Sequence, residues 1–431
     1  MYRERVDIHV SGNERAGYST FQSYPGETAT LDGSTLVVPG TDNGMFFIKD
    51  CQYIVIDGFQ IQNYRTSDSG PFPIGIMVTG ACNHIQILNN VIHHIETNAE
   101  ASGGGANGIS AYGTSASGPI NNLVISGNTL YSLKTGSSEC LVVNGNFRIT
   151  KNLVHDTDNI GIVAIGYERT APGPDIDRAR DGIISQNTVY NITSKSNQNY
   201  HDLSADGIYV DGGTRIVVER NIVRSADIGI EVACETLGRL SDYVTVRDNL
   251  VYGSNTAGIS IGGYDAQRGG TDHCTIANNT FYMNDTTLSG GGEFLIQYRT
   301  TNCLFTNNIL VANNQGLFLS NNIQTPNGPG VSLDYNLYYS AVGDSNAGWL
   351  WNNSDFYGLA AFVRGTNNDI HSTFAYPKFV SPAKKDFHLA SDSPGLGKGK
   401  MLDSSIIGLL DLNSNPRTRN GKVDIGCYER Q

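Results

Sequence analysis

Short runs of alternating apolar and polar residues return along this chain, and an asparagine holds the same place in each. ILNNVI, ISGNTL, SQNTVY, VERNIV, VRDNLV, IANNTF and FTNNIL align on Asn90, Asn128, Asn187, Asn221, Asn249, Asn279 and Asn308, and Asn152 and Asn336 fit the same frame. Successive asparagines lie 24 to 38 residues apart. A repeat of that length marks a solenoid or an array rather than a string of independent domains. Each unit reads strand, Asn turn, strand, turn, strand. The stretch from Arg215 to Val232 carries almost no insertion and predicts one turn of a parallel β-helix, with its asparagines stacked as an internal ladder.

A second motif, Gly-Ile-x-Val, accompanies the first. It is Gly75-Ile76-Met77-Val78, Gly207-Ile208-Tyr209-Val210, Gly229-Ile230-Glu231-Val232 and Gly258-Ile259-Ser260-Ile261, with looser copies elsewhere. Period-2 alternation puts Ile208 and Val210 inward and Tyr209 and Asp211 outward. The last copy, Gly316-Leu317-Phe318-Leu319, predicts Phe318 and Ser320 outward. The repeat fades after about residue 340. The predicted fold is all-β: one right-handed parallel β-helix of about ten coils over residues 1–340, with an irregular C-terminal capping segment over 341–431 packed on it. Trp349, Trp351, Phe356 and Phe362 supply the apolar cover that open strand edges need.

Insertions cluster on the two sides of the Gly-Ile-x-Val sheet. Gly113–Pro119, Gly166–Arg180, Cys234–Ser241 and Gly263–Thr271 follow the strand. Thr97–Ala106, Ser194–Ala205 and Asn284–Gly292 precede it. Loops that wall a sheet on both sides make a groove, and binding residues concentrate on loops held by a rigid scaffold.

Composition narrows the partners. A net charge of −12 lacks the basic face that nucleic acid needs. No run of 18 apolar residues is present, so no membrane span is predicted. The start, Met1-Tyr2-Arg3-Glu4-Arg5-Val6, enters directly at a predicted strand, which suggests that a leader and a first capping segment precede it in a secreted, extracellular protein. A single elongated body argues for a monomer. The seven cysteines do not read as a disulfide framework; Cys51 with Cys82 and Cys274 with Cys303 are expected as stacked thiol pairs.

Along the outward row carboxylates occur only in the middle, at Asp211 and Glu231. His201 and Asp206 lie just before them, with Glu235, Arg239, Tyr264, Asp265 and Arg268 just after. Tyr209 is expected across from Glu231, making Asp211 its diagonal neighbour at about 7–8 Å. That range straddles the carboxyl separations of retaining and inverting glycosidases. Tyr112, Tyr209 and Tyr264 are expected to offer ring faces to sugars, and Asn144 and Gln297 to meet hydroxyl groups. Glu231 is expected to be the protonated member, shielded by neighbours and facing a like charge. Asp206, Asp211, Glu231 and Glu235 could alternatively hold calcium through oxygen ligands; no other cofactor is expected.

Residues 30–340 resemble the pectin-lyase-like superfamily of right-handed parallel β-helix proteins. The tail, with Asp386-Phe387-His388-Leu389, Ser393-Pro394-Gly395, Asp411, Arg417 and Val423-Asp424-Ile425-Gly426-Cys427-Tyr428-Glu429, resembles a terminal segment of its secreted members. The resemblance implies a carbohydrate-acting or carbohydrate-binding protein. Asp211-Gly212-Gly213 after Gly-Ile-Tyr-Val, followed by Gly-Ile-Glu, resembles the acid pair of retaining β-helix xylosidases, which implies Asp211 as nucleophile and Glu231 as acid/base. The expected function is a glycoside hydrolase acting on a polysaccharide or oligosaccharide. A calcium-dependent lyase of a uronic-acid polymer and a non-catalytic glycan-binding adhesin are the alternatives.

Overall fold

The computed structural model describes residues 1–99, 103–321 and 330–431. Residues 100–102 of the Thr97–Ala106 insertion lie outside them. The chain divides into two compact units, Met1–Ile216 and Val217–Gln431. Each is built as a right-handed parallel β-helix, in which the coil strands pair in parallel with their counterparts one repeat away; Gly348–Trp351 with Ser354–Tyr357 and Phe379–Ser381 with Asp386–Leu389 are antiparallel pairs.

In the first unit the strands Gly44–Lys49, Ile74–Thr79, Asn107–Tyr112, Leu141–Thr150, Ile162–Ile165 and Asp206–Asp211 form the sheet of the Gly-Ile-x-Val motif. A second sheet runs through Gln52–Asp57, Asn83–Leu88, Ile120–Ser126 and Arg180–Ser185. A third runs through Phe59–Thr66, Val91–Thr97, Thr129–Leu133, Leu153–Thr157 and Thr188–Ile192. Ile76, Ile109, Leu141, Ile162 and Ile208 form one inward column and are wholly buried. Such columns drive the stacking, because each coil buries its apolar face only against its neighbours.

The asparagine ladder is present in both units. Asn90 Nδ2 donates to Asn128 Oδ1, Asn128 to Asn152 and Asn152 to Asn187, each at 3.0 Å. The second unit repeats the chain from Asn221 through Asn249, Asn279 and Asn308 to Asn336. Each Oδ1 also accepts the backbone N–H of the preceding ladder residue, as in Asn249 N to Asn279 Oδ1 at 3.0 Å. The residue before every ladder asparagine is left-handed, whether Gly127, Lys151, Arg220 or Asp248. That conformation turns the chain sharply inward, and the buried amide satisfies the backbone groups the turn frees.

In the second unit the motif sheet comprises Ile228–Ala233, Ala257–Ile261, Phe294–Ile296, Leu317–Ser320 and Gly348–Trp351. The expected outward position of Phe318 is corrected here. Leu295 pairs with Ser320, and a register shift between Leu317 and Leu319 turns Phe318 into a wholly buried cluster with Trp349 and Tyr338. Trp349 stacks in turn on Phe362 of the helix Leu359–Thr366.

The tail from Phe379 onward lies on the outer face of a sheet, not on a coil end. Phe379, Phe387, Leu389, Ile425 and Tyr428 pack with Leu250, Ile309, Val311 and Leu337. Arg417 pins the tail: wholly buried, it donates to Asp248 at 3.0 Å and Glu429 at 2.9 Å, while Glu429 N donates to Asp411. The tail motif of the sequence is therefore a buried ionic clasp. The seven cysteines are buried thiols joined by no disulfide; Cys51 N donates to Cys82 Sγ at 3.4 Å, as the stacked pairing expects.

Candidate functional site

Asp211 belongs to the first unit and Glu231 to the second, so each is described with its own surroundings. Both stand on outward positions of the motif sheet, yet neither is a solvated surface acid: Asp211 is 3% exposed and Glu231 6%. The outward row itself is walled in, since Val142 and Val163 are wholly buried despite pointing away from the core.

In the second unit Glu231 pairs in register with Ser260, whose Oγ donates to Glu231 Oε1 at 2.9 Å. Among the described residues no other hydrogen bond holds this carboxyl. Burial pushes its pKa up to about 7; the serine hydrogen bond opposes the rise and the nearby charge of Glu235 adds to it. Within the second unit Glu235 is thus a like charge acting on it. Glu235 keeps solvent access, and the protein around its carboxyl still raises it, against Arg268 and with Asp265. Arg268 lies over the Tyr264 ring at 4.6 Å and reaches Asp265 at 3.8 Å. Its Nε is buried without a hydrogen-bond partner, as is Gln297 Oε1. Tyr264 is 43% exposed, the tyrosine of this set that keeps an open ring. Arg239 is exposed on the same run of loops.

In the first unit Tyr112 pairs with Asn144, and Ile165 with Asp211. Tyr112 is half-buried; its hydroxyl is held well above its ordinary pKa by burial and by the charges of Glu139, Glu168, Asp211 and Asp177. Asn144 is wholly buried and gives its Nδ2 to Asp177 at 3.1 Å, so it is a scaffold amide with Oδ1 left over, not an exposed hydroxyl partner. Asp177 also accepts from Arg169 N and from Thr170 Oγ1 at 2.9 Å. The turn after Asp211 is fixed by Arg178, which donates to the carbonyls of Gly212 and Gly213 at 2.9 Å. Asp206 is buried at the start of its strand, and His201 sits exposed on a left-handed turn.

Tyr209 is corrected: at 3% exposure its ring has no open face for a sugar. Sequence reasoning missed Asp177, which lies inside an insertion whose length was legible but whose fold was not. The four acids proposed for calcium divide two and two between the units, and among the described residues no group of three or more His, Cys, Asp or Glu is arranged around a metal position. No described helix is long and apolar enough to cross a membrane.

The chain is 38% identical over 397 residues to the uncharacterized protein YwoF of Bacillus subtilis (strain 168), a match covering 91% of this chain and 82% of that one. It belongs to the YwoF family. No family model matches the sequence. Among solved structures it is similar to pectate lyase Pel9A, with 14% identity, a TM-score of 0.47 and coverage of 100% of this chain and 85% of that one. It is also similar to the GH136 lacto-N-biosidase from Eubacterium ramulus, with 13% identity, a TM-score of 0.46 and coverage of 78% and 56%. The alginate lyase of Paenibacillus sp. str. FPU-7 follows at 14% identity, TM-score 0.40 and coverage of 73% and 93%. Likeness at this level assigns no activity to the chain.

Proposed function

We propose that this YwoF-family protein is an extracellular glycoside hydrolase of a polysaccharide or oligosaccharide, with Glu231 as its general acid. The observation that supports this is the state of Glu231: a walled-in carboxyl with one hydrogen bond, from Ser260, and a pKa of about 7. An acid that protonates a glycosidic oxygen must keep its proton near neutrality, and burial beside another carboxylate is how proteins arrange this. A purely structural glutamate would be expected to have its carboxyl saturated, as Glu293 is by Asn284 N at 2.9 Å and Asn284 Nδ2 at 2.6 Å.

Asp211 is the proposed nucleophile on the strength of its place one repeat before Glu231. Tyr264 would stack on a sugar ring, and Gln297 Oε1 would accept from a hydroxyl. Asp177 and Asn144 would hold the loop beside Tyr112.

The lyase reading draws on Arg268, whose Nε makes no hydrogen bond and lies 3.8 Å from Asp265; it would neutralise a uronate carboxylate and leave elimination as the chemistry. Incubation with a panel of neutral and acidic glycans separates the readings. The hydrolase reading requires new reducing ends without the ultraviolet absorbance of an unsaturated uronate, and insensitivity to a chelator. Absorbance that vanishes with the chelator would replace it with the calcium-dependent lyase. Binding with neither product would leave the adhesin.

A further inference from the structure

The second sheet of the first unit, which the latter half of Leu141–Thr150 joins, carries a concavity of about 330 Å³. Its rim includes Tyr18, His84, Asn122, Asn146, Arg148 and Asp181, and Leu123 and Phe147 contribute its apolar part. The volume falls at the small end of ligand sites.

Two irregularities make it. The pairing of Ile120–Ser126 with Leu141–Thr150 shifts register between Ile120 and Leu123, and that of Leu141–Thr150 with Arg180–Ser185 shifts between Asn146 and Arg148. Bulges re-aim side chains and recur beside binding sites. Here they are pinned in place. Asn146 Oδ1 accepts Asn122 N at 3.2 Å, Asn146 Nδ2 donates to Asp181 O at 2.7 Å, and Asn122 Nδ2 donates to Asn83 Oδ1 at 3.0 Å. Gly182 is required beside Phe147, since a Cβ there would sit 2.4 Å from the ring.

With the asparagines spent on the scaffold, the groups left for a ligand are specific. Arg148 is exposed and makes no hydrogen bond or ion pair among the described residues. His84 Nδ1 is buried with no partner, while the ring stacks on Tyr53 at 4.4 Å and is held rigid. Tyr18 packs edge-on against Tyr53 at 5.4 Å and is 37% exposed. Asp181 does not cancel the arginine, because Arg215 engages both its oxygens at 2.6 and 2.9 Å. One uncommitted guanidinium and one half-open aromatic ring, backed by the rigid His84–Tyr53 stack, border a space of monosaccharide scale.

We infer that this concavity is a second sugar-binding site that takes a single acidic sugar residue, a uronate, with Arg148 on the carboxylate and Tyr18 against the ring. Guanidinium pairs with carboxylates in two parallel hydrogen bonds, and aromatic rings cover the apolar face of a sugar. The inference does not depend on Glu231 performing hydrolysis.

Calorimetric titration of the wild type and of Glu231→Gln with glucuronate, galacturonate and their neutral methyl glycosides tests it. Both proteins should bind the uronates at least about tenfold more tightly than the neutral sugars, and Arg148→Ala should lose about tenfold for the uronates alone. Arg148→Lys should restore part of the loss, and raised salt should weaken the uronate arm. Because Arg148 is exposed, its replacement leaves the fold intact, which a thermal melt verifies. Equal affinity for acidic and neutral sugars, unchanged affinity in Arg148→Ala, or no binding to either would overturn the site. Loss of binding in Glu231→Gln alone would move it to the outward row. Reducing-end assays on the same proteins report on the hydrolase reading separately.

Discussion

Ser260 Oγ donates to Glu231 Oε1 at 2.9 Å, across two strands that place the residues at paired positions. This bond favours the ionised carboxylate, against the burial that raises it. Ser260→Ala should therefore raise the Glu231 pKa further. If Glu231 is the acid, the basic limb of the kcat/KM profile lies near pH 7 in the wild type and moves upward in Ser260→Ala. A limb that stays in place or moves down would separate Glu231 from the pH dependence.

Asp211→Asn is expected to cost orders of magnitude in turnover while leaving the melting temperature close to that of the wild type. Asp211 stands on an outward position of its strand, and Arg178 holds the turn after it through the carbonyls of Gly212 and Gly213. Full activity in the variant would remove the proposed nucleophile.

The tail clasp gives a stability prediction. Arg417 holds Asp248 and Glu429 in a wholly buried cluster, and removing one partner of such a group leaves uncompensated charge. Arg417→Ala should lose about 3–5 kcal/mol in denaturant unfolding. Asn279→Ala, which breaks one rung of the ladder, should lose about 1–3 kcal/mol. A loss under 0.5 kcal/mol in either would contradict the structural role assigned to it.

Glu293 predicts how stability depends on pH. Burial raises its carboxyl from the ordinary value of 4.5 to about 8. The folded state therefore holds a proton that the unfolded chain releases. Stability from this group is full below about pH 4.5 and is lost as pH rises toward 8. Glu293→Gln should flatten the decline between pH 5 and 8 by roughly 3–4 kcal/mol, measured by urea unfolding across that range.

Much of the architecture was legible because one turn repeats. The residue before each ladder asparagine had to tolerate a left-handed backbone, and Gly127, Asn89 and Asp248 advertise it. Period 2 then placed Ile208 inward and Asp211 outward. What was not legible depends on contacts far apart in sequence. Phe318 breaks its alternation because a register shift lets it join Trp349, which no local pattern reports. Tyr209 and Asn144 have the right period for an open surface, but neighbouring parts of the fold bury them. Asp177 lies in an insertion without periodicity. Arg417 stood out as part of a tail motif, but its partner Asp248 is 169 residues away.

In the proposed reaction Glu231 delivers the proton in glycosidic cleavage. Turnover of Glu231→Gln on a glycan that the wild type cleaves tests it most directly. A fall of about 10²–10⁴ in kcat is expected, with the fold intact and the basic limb near pH 7 absent from the residual activity. Turnover within a few-fold of the wild type, with that limb retained, would contradict it.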